Sequence, residues 1–219
     1  MKSFLSAGAA VAVLLGLSAL AIASTPSPSD HPEECNKNCP HQPSASELIS
    51  ATPRSEAPSL GRADAKVTVE VWSDFQCPFC ARGAATIKQL REKYGDQLRI
   101  VFRHQPLPMH ANARLAAAAS MAAHEQGKFW EFHDALFANQ GSLDRASLEA
   151  LAGKLQLDTE RFRRGLDSST WRTYVETDAA EAQRRGVKGT PTFFVNGKAI
   201  IGAQPLSVFA EAIDAQLQR

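Results

Sequence analysis

The chain has 219 residues, of which 44% are hydrophobic and 21% charged, enough apolar material for a sizeable core and too mixed for a fibrous or wholly disordered polymer. Lys plus Arg is 24 and Asp plus Glu is 23, a formal net charge of +1, so no basic excess exists to concentrate phosphates or an anionic bilayer, and nucleic-acid binding is set aside. The four cysteines are too few for a disulfide-built miniprotein and stand as two close couples, Cys35 with Cys39 and Cys77 with Cys80.

In chain order, Lys2 precedes an apolar run from Ala7 to Ile22 and then Ala21-Ile22-Ala23, small at both positions that a signal peptidase reads. Residues 1–23 therefore read as a secretory signal peptide. An uncleaved anchor helix is the competing reading, because the run approaches the ~18 residues that begin to span a membrane. Either way the rest is exported: periplasmic, or tethered to the inner membrane if the signal stays. Residues 24–61 follow as a Pro/Ser-rich linker holding seven of the 12 prolines, too polar to offset the entropy of ordering it. The compact domain is expected from Arg62, giving a 62–219 body.

Within that body, Val67 to Trp72 is β-branched and aromatic and reads as a strand ending near Asp74. A helix should open at Cys77, with Ala84, Ile87, Leu90 and Tyr94 at three- and four-residue steps up to Gly95, and Leu98 to Phe102 makes a second strand. A helical block is expected over about 110–186, with Ser142, Asp158 and Ser168 as caps. Thr192 to Val195, the turn Asn196-Gly197, Lys198 to Ile201 and an amphipathic helix from Leu206 to Leu217 close the chain. The class is α/β.

Cys77-Pro78-Phe79-Cys80 lies where a strand gives way to a helix. Unpaired N–H groups and the positive end of the helix dipole favour a thiolate there, and Pro78 suits the first turn because its missing N–H is not needed. Cys77, expected to be the more exposed sulfur, is the nucleophile and Cys80 the resolving thiol of a thiol-disulfide exchange.

Ser73 to Cys80, Phe102-Arg103-His104 with Pro106-Leu107-Pro108-Met109-His110, Gly127-Lys128-Phe129-Trp130, and Gly189 to Gly197 together resemble the DsbA-like branch of the thioredoxin superfamily. The resemblance covers about Gly61 to Leu217. It implies a thioredoxin fold with an inserted α-helical domain, a periplasmic protein-disulfide oxidoreductase activity, and a cis Thr190-Pro191 bond against the cysteines. Pro191 would neither donate to Cys77 nor block a client, while the Thr190 backbone could pair with an extended peptide. The site residues on this reading are Cys77, Cys80, Thr190 and Pro191. No cofactor beyond the redox-active cysteine pair is implied; the partners are client proteins with thiols or disulfides and a redox-recycling partner, and the protein is expected to be a monomer.

Two departures from that family stand out. The dipeptide Pro78-Phe79 lacks the histidine that would donate to the thiolate, and Val71 occupies a strand position where many relatives carry a buried acid. Glu70 should face the other way by strand alternation, and Asp74 reads as a turn residue before a helper of the cysteines. His104 and His110 read as capping or surface histidines, and Phe129, Trp130, Phe132 and Phe137 as core of the helical block.

The first cysteine pair stays open. Cys35 and Cys39, flanked by His31 and His41, read as a local disulfide, as a copper or zinc clip, or as a thiol couple exchanging with Cys77 and Cys80. The second of these defines the alternative function, a metal-handling protein whose thioredoxin domain keeps those thiols reduced.

Overall fold

The computed structural model describes residues 57–218. The signal-peptide reading, most of the linker and the cluster His31, Cys35, Cys39 and His41 lie outside the described residues.

Five strands form one sheet: β1 (Ser59–Leu60), β2 (Val67–Ser73), β3 (Leu98–His104), β4 (Thr192–Val195) and β5 (Lys198–Ile201), in the order β1-β3-β2-β4-β5. β2 and β3 run parallel with Val71 beside Phe102, while β4 is antiparallel to β2 with Phe193 beside Val71. The parallel pair is joined by α1 (Pro78–Tyr94), the long crossover that parallel strands require. Between β3 and β4 come α2 (Ala113–His124), α3 (Phe129–Ala138), α4 (Arg145–Lys154), α5 (Thr159–Asp167) and α6 (Ser169–Arg184), and α7 (Leu206–Leu217) ends the fold. The helical insertion therefore occupies the span read from periodicity.

Alternation along β2 and β3 decides what each face of the sheet meets. Val67, Val69 and Val71 with Leu98, Ile100 and Phe102 join one core that also holds Leu90, Phe193 and Phe209. On the opposite face Trp72 packs with Ala182, Val187 and Phe194. Glu70 also faces this second side, where Arg103 bonds it at 3.3 Å and bonds Asp178 at 3.0 Å. Asp178 in turn accepts the His104 N–H at 2.9 Å, so a mostly buried ion network ties α6 to the central strands.

The domain starts earlier than expected. Ser59–Leu60 pairs antiparallel with β3, the Phe102 N–H donates to the Pro58 carbonyl at 2.8 Å, and Ala57 is buried. A two-residue edge strand inside a Pro/Ser-rich stretch is too short for alternation to reveal. Gly61 follows with φ +96, and a Cβ there would sit 2.2 Å from the Leu98 carbonyl oxygen, so only glycine fits.

Caps differ in one place. Asp158 caps α5 as expected, accepting from the Arg161 N–H at 2.9 Å, whereas α4 is capped by Asp144, which accepts from the Ser147 N–H at 3.1 Å, and Ser142 lies outside it. Ser168 precedes α6 without a side-chain cap bond. The Asn196-Gly197 hairpin forms with both residues at positive φ, as the tight turn demands.

Candidate active site

Cys77 occupies the N-cap of α1 with extended backbone (φ −75, ψ 121), and Pro78 opens the first turn. Its carbonyl accepts the N–H of Cys80 at 3.0 Å and of Ala81 at 3.3 Å. The sulfur lies 3.5 Å from the carbonyl oxygen of Thr190, and the Thr190-Pro191 bond is cis. The four site residues read from the sequence are thus brought together from two ends of the chain.

The two thiols are electrostatically unlike. The Cys77 thiol is pulled down to about 5, first by the hydrogen bond from the Cys80 thiol and then by Thr190 and the N–H groups of Cys80 and Phe79, which outweigh the cost of its burial. The Thr190 hydroxyl is buried without another hydrogen-bond partner, free to turn toward a thiolate. Cys80 moves the opposite way, pushed far up by burial and by the negative charge that Cys77 carries beside it. The Asp74 N–H is 3.4 Å from its sulfur. One nucleophile and one reserve proton carrier result.

Cys77 is the more exposed of the two sulfurs, though both are buried. It is 3% exposed against 1% for Cys80, and the cis-proline loop lies over the start of α1. Contact continues one turn on, where Gly83 passes so close that a Cβ would lie 3.0 Å from Phe193 and 3.2 Å from Pro191. Gly83→Ala should therefore displace the loop, costing about 1–2 kcal/mol of stability by overpacking. A urea midpoint unchanged from the parent would show that the loop yields freely.

Residues outside the motif hold its backbone. Asp74, 2% exposed, accepts from the N–H of Gln76 at 2.7 Å, the N–H of Leu107 at 2.8 Å and bonds Nδ1 of His110 at 2.7 Å. It is the turn residue expected, and also a hub. Gln76 accepts the Asn112 N–H at 2.6 Å. From the far end of α3, Gln140 donates through Nε2 to the carbonyls of Phe75 at 2.8 Å and Cys77 at 3.0 Å. Nothing in the sequence singled out Gln76 or Gln140, since neither belongs to a periodic or spaced pattern.

Both histidine expectations need correction. His110 is not a free surface group but the partner of Asp74, its side chain 22% exposed. His104 is fully buried at the end of β3, pairing in register with Ser73. Its ring meets Phe75, Phe102, Phe129 and Tyr174 at centroid distances of 5.1 to 6.4 Å. Burial, with Arg103 adding to it, pushes its pKa down to about 3. Alternation puts His104 inward with Phe102, a consequence that a polar residue at a strand end conceals. Phe75 is buried, Phe79 is 53% exposed, and Phe129 and Phe132 are core.

A thioredoxin family model matches residues 54–215. The chain belongs to the thioredoxin family. Among solved structures it resembles a thioredoxin-like oxidoreductase from Silicibacter pomeroyi, at 30% identity and TM-score 0.69 over 78% of this chain and 96% of that one. It also resembles oxidised BdbD from Bacillus subtilis, at 28% identity and TM-score 0.68 over 75% and 95%. The DsbA-like resemblance and the thioredoxin fold read from the motifs both hold. Among curated proteins, a Na(+)/H(+) antiporter NhaA from Herminiimonas arsenicoxydans is 40% identical over 155 residues, 71% of this chain but 25% of the antiporter. The chain thus spans about a quarter of the length of that relative. Among the described residues, no helix is long and apolar enough to cross a membrane.

Proposed function

We propose that this thioredoxin-family protein is an exported protein-disulfide oxidoreductase that exchanges disulfides with client proteins through Cys77 and Cys80. The observation that carries the reading is geometric: the Cys77 sulfur, at the N-cap of α1 with Cys80 one turn behind it, lies 3.5 Å from the Thr190 carbonyl beside a cis proline. In the oxidising direction a client thiolate bonds to the Cys77 sulfur, the Cys77–Cys80 bond breaks, and Cys80 takes up a proton. The client's second thiolate then attacks the client sulfur of the mixed disulfide, and Cys77 leaves as a stabilised thiolate. A recycling partner restores the disulfide.

Stabilising the leaving thiolate favours the reduced enzyme and hence oxidation of clients. Allowing for screening at the helix entrance, a thiol lowered to about 5 favours the reduced form by about 1–3 kcal/mol at pH 7, or about 20–60 mV. With no histidine in the dipeptide, the Cys80 thiol, the buried Thr190 hydroxyl and the two N–H groups are what lower Cys77. Ion antiport is no part of this proposal, because the chain matches only a quarter of the antiporter's length.

Equilibration of the full chain in glutathione buffers tests the direction. A potential above about −200 mV supports the oxidase, and one near about −270 mV, the range of a reducing thioredoxin, refutes it.

A further inference from the structure

Three segments adjoin the catalytic turn: residues 75–82, which contain it, residues 105–112 through the Leu107 and Asn112 N–H bonds to Asp74 and Gln76, and residues 186–192 through the Thr190 carbonyl beside the Cys77 sulfur. None of the three contains an aspartate or a glutamate. Asp74, next to the first of them, is buried beneath three donors and shows no charge to a client. The formal charges these segments carry are Arg82 and Lys188, both exposed. Arg82 is stacked over the Phe79 ring at 4.6 Å, and no carboxylate among the described residues pairs with either cation.

The rim is also apolar where it is open. Phe79 is 53% exposed and Met109 is 76% exposed. Phe79 and Arg82, three residues apart, share one stripe on the outside of α1. Arg82 stands on the helix that Cys77 opens, and Lys188 stands two residues before Thr190 on the cis-proline loop. Elsewhere Arg103, Arg114, Arg145, Arg161 and Arg163 are engaged with carboxylates. These segments thus carry two cations and no carboxylate within a chain of near-neutral overall charge.

Resting on the oxidoreductase reading, we propose that the clients of this protein are extended segments whose cysteine is flanked by apolar and acidic residues, received by Phe79 and Met109 and by Arg82 and Lys188. A carboxylate on either side of the client cysteine meets an unpaired cation, whereas a lysine there meets like charge. Such complementarity acts chiefly on encounter and on exclusion of wrong partners.

The test uses oxidised full-chain protein and three peptide dithiols that share one apolar sequence and differ only in flanking residues, which are Glu, Gln or Lys. In each reaction the peptide's two thiols become a disulfide and the Cys77–Cys80 disulfide becomes a thiolate and a thiol, followed by mass after acid quenching. Each rate constant is divided by that for the same peptide with a small-molecule disulfide, which removes the effect of the flanks on the peptide's own thiols. At low salt the Glu peptide should react about 10-fold faster than the Lys peptide. At 1 M salt, where the Debye length is about 3 Å, the two should converge, and an Arg82→Gln/Lys188→Gln variant should show a smaller gap than the parent at low salt. Equal rates for all three peptides, or a faster Lys peptide, overturn the inference while leaving the exchange activity standing. Failure of every peptide to react overturns the oxidoreductase reading itself.

Discussion

Replacing Cys80 with serine should leave the Cys77 thiolate to attack a client disulfide, release the client's other sulfur as a thiolate and stop at the covalent adduct, with turnover lower by about 1,000-fold or more. The magnitude follows from geometry: Cys80 lies one helical turn from Cys77 with its thiol bonded to that sulfur, so its attack is intramolecular, and an external thiol must replace a very high effective concentration. Cys80 also loses its proton only with difficulty, which makes it slow to attack until Cys77 is neutralised by bonding to a client. The adduct should be visible as a higher-mass band that vanishes with reductant. A Cys77→Ser chain, retaining Cys80 1% exposed, should form none. Adducts of equal yield from both variants would assign the nucleophile wrongly.

The second large effect is on pH dependence. Cys77 falls to about 5 in the reduced fold against ~8.5 in an unfolded chain. Between those values the unfolded chain binds the extra proton, so the contribution of Cys77 to stability is complete above pH ~8.5 and disappears as pH falls through 5. The disulfide form has no such group. The stability of the reduced protein relative to the oxidised one should therefore climb from pH 5 toward pH 8. Cys80 reverses the trend above pH ~8.5, because its thiol would ionise in the unfolded chain but not in the folded one. His104 acts alike in both redox forms, and its contribution, complete above pH ~6.5 and lost as pH falls toward 3, cancels in the difference. Iodoacetamide modification of Cys77 gives a direct reading. It should rise to half its plateau near pH 5, leaving the thiolate fraction at pH 7 about 30-fold above that of an ordinary cysteine. A midpoint near 8.5 would remove the electrostatic basis for an oxidase.

Much of this was legible in the chain because the relevant patterns are local. Alternation in Val67 to Trp72, the three- and four-residue steps after Cys77, and the Asn196-Gly197 turn each encode one element, and those elements stand where the residues put them. The cysteine pair at a strand-to-helix junction likewise announces its own chemistry. Contacts between distant segments were hidden. Gln140 reaches Cys77 across 63 positions and Asp74 reaches His110 across 36, and neither side chain differs in kind from many surface residues. His104 misled for a related reason: a histidine at a strand end looks solvent-facing until the aromatic residues of the insertion close over it.

The anchors of the catalytic turn have an evolutionary consequence. Asp74, Gln76 and Gln140 fix the main chain from outside the tetrapeptide, and the Phe79 side chain leans outward under Arg82. The architecture therefore does not depend on which residue stands at 79. Selection can retune the electron affinity of such a domain through that single outward position, while the scaffold that aims the sulfur is inherited intact.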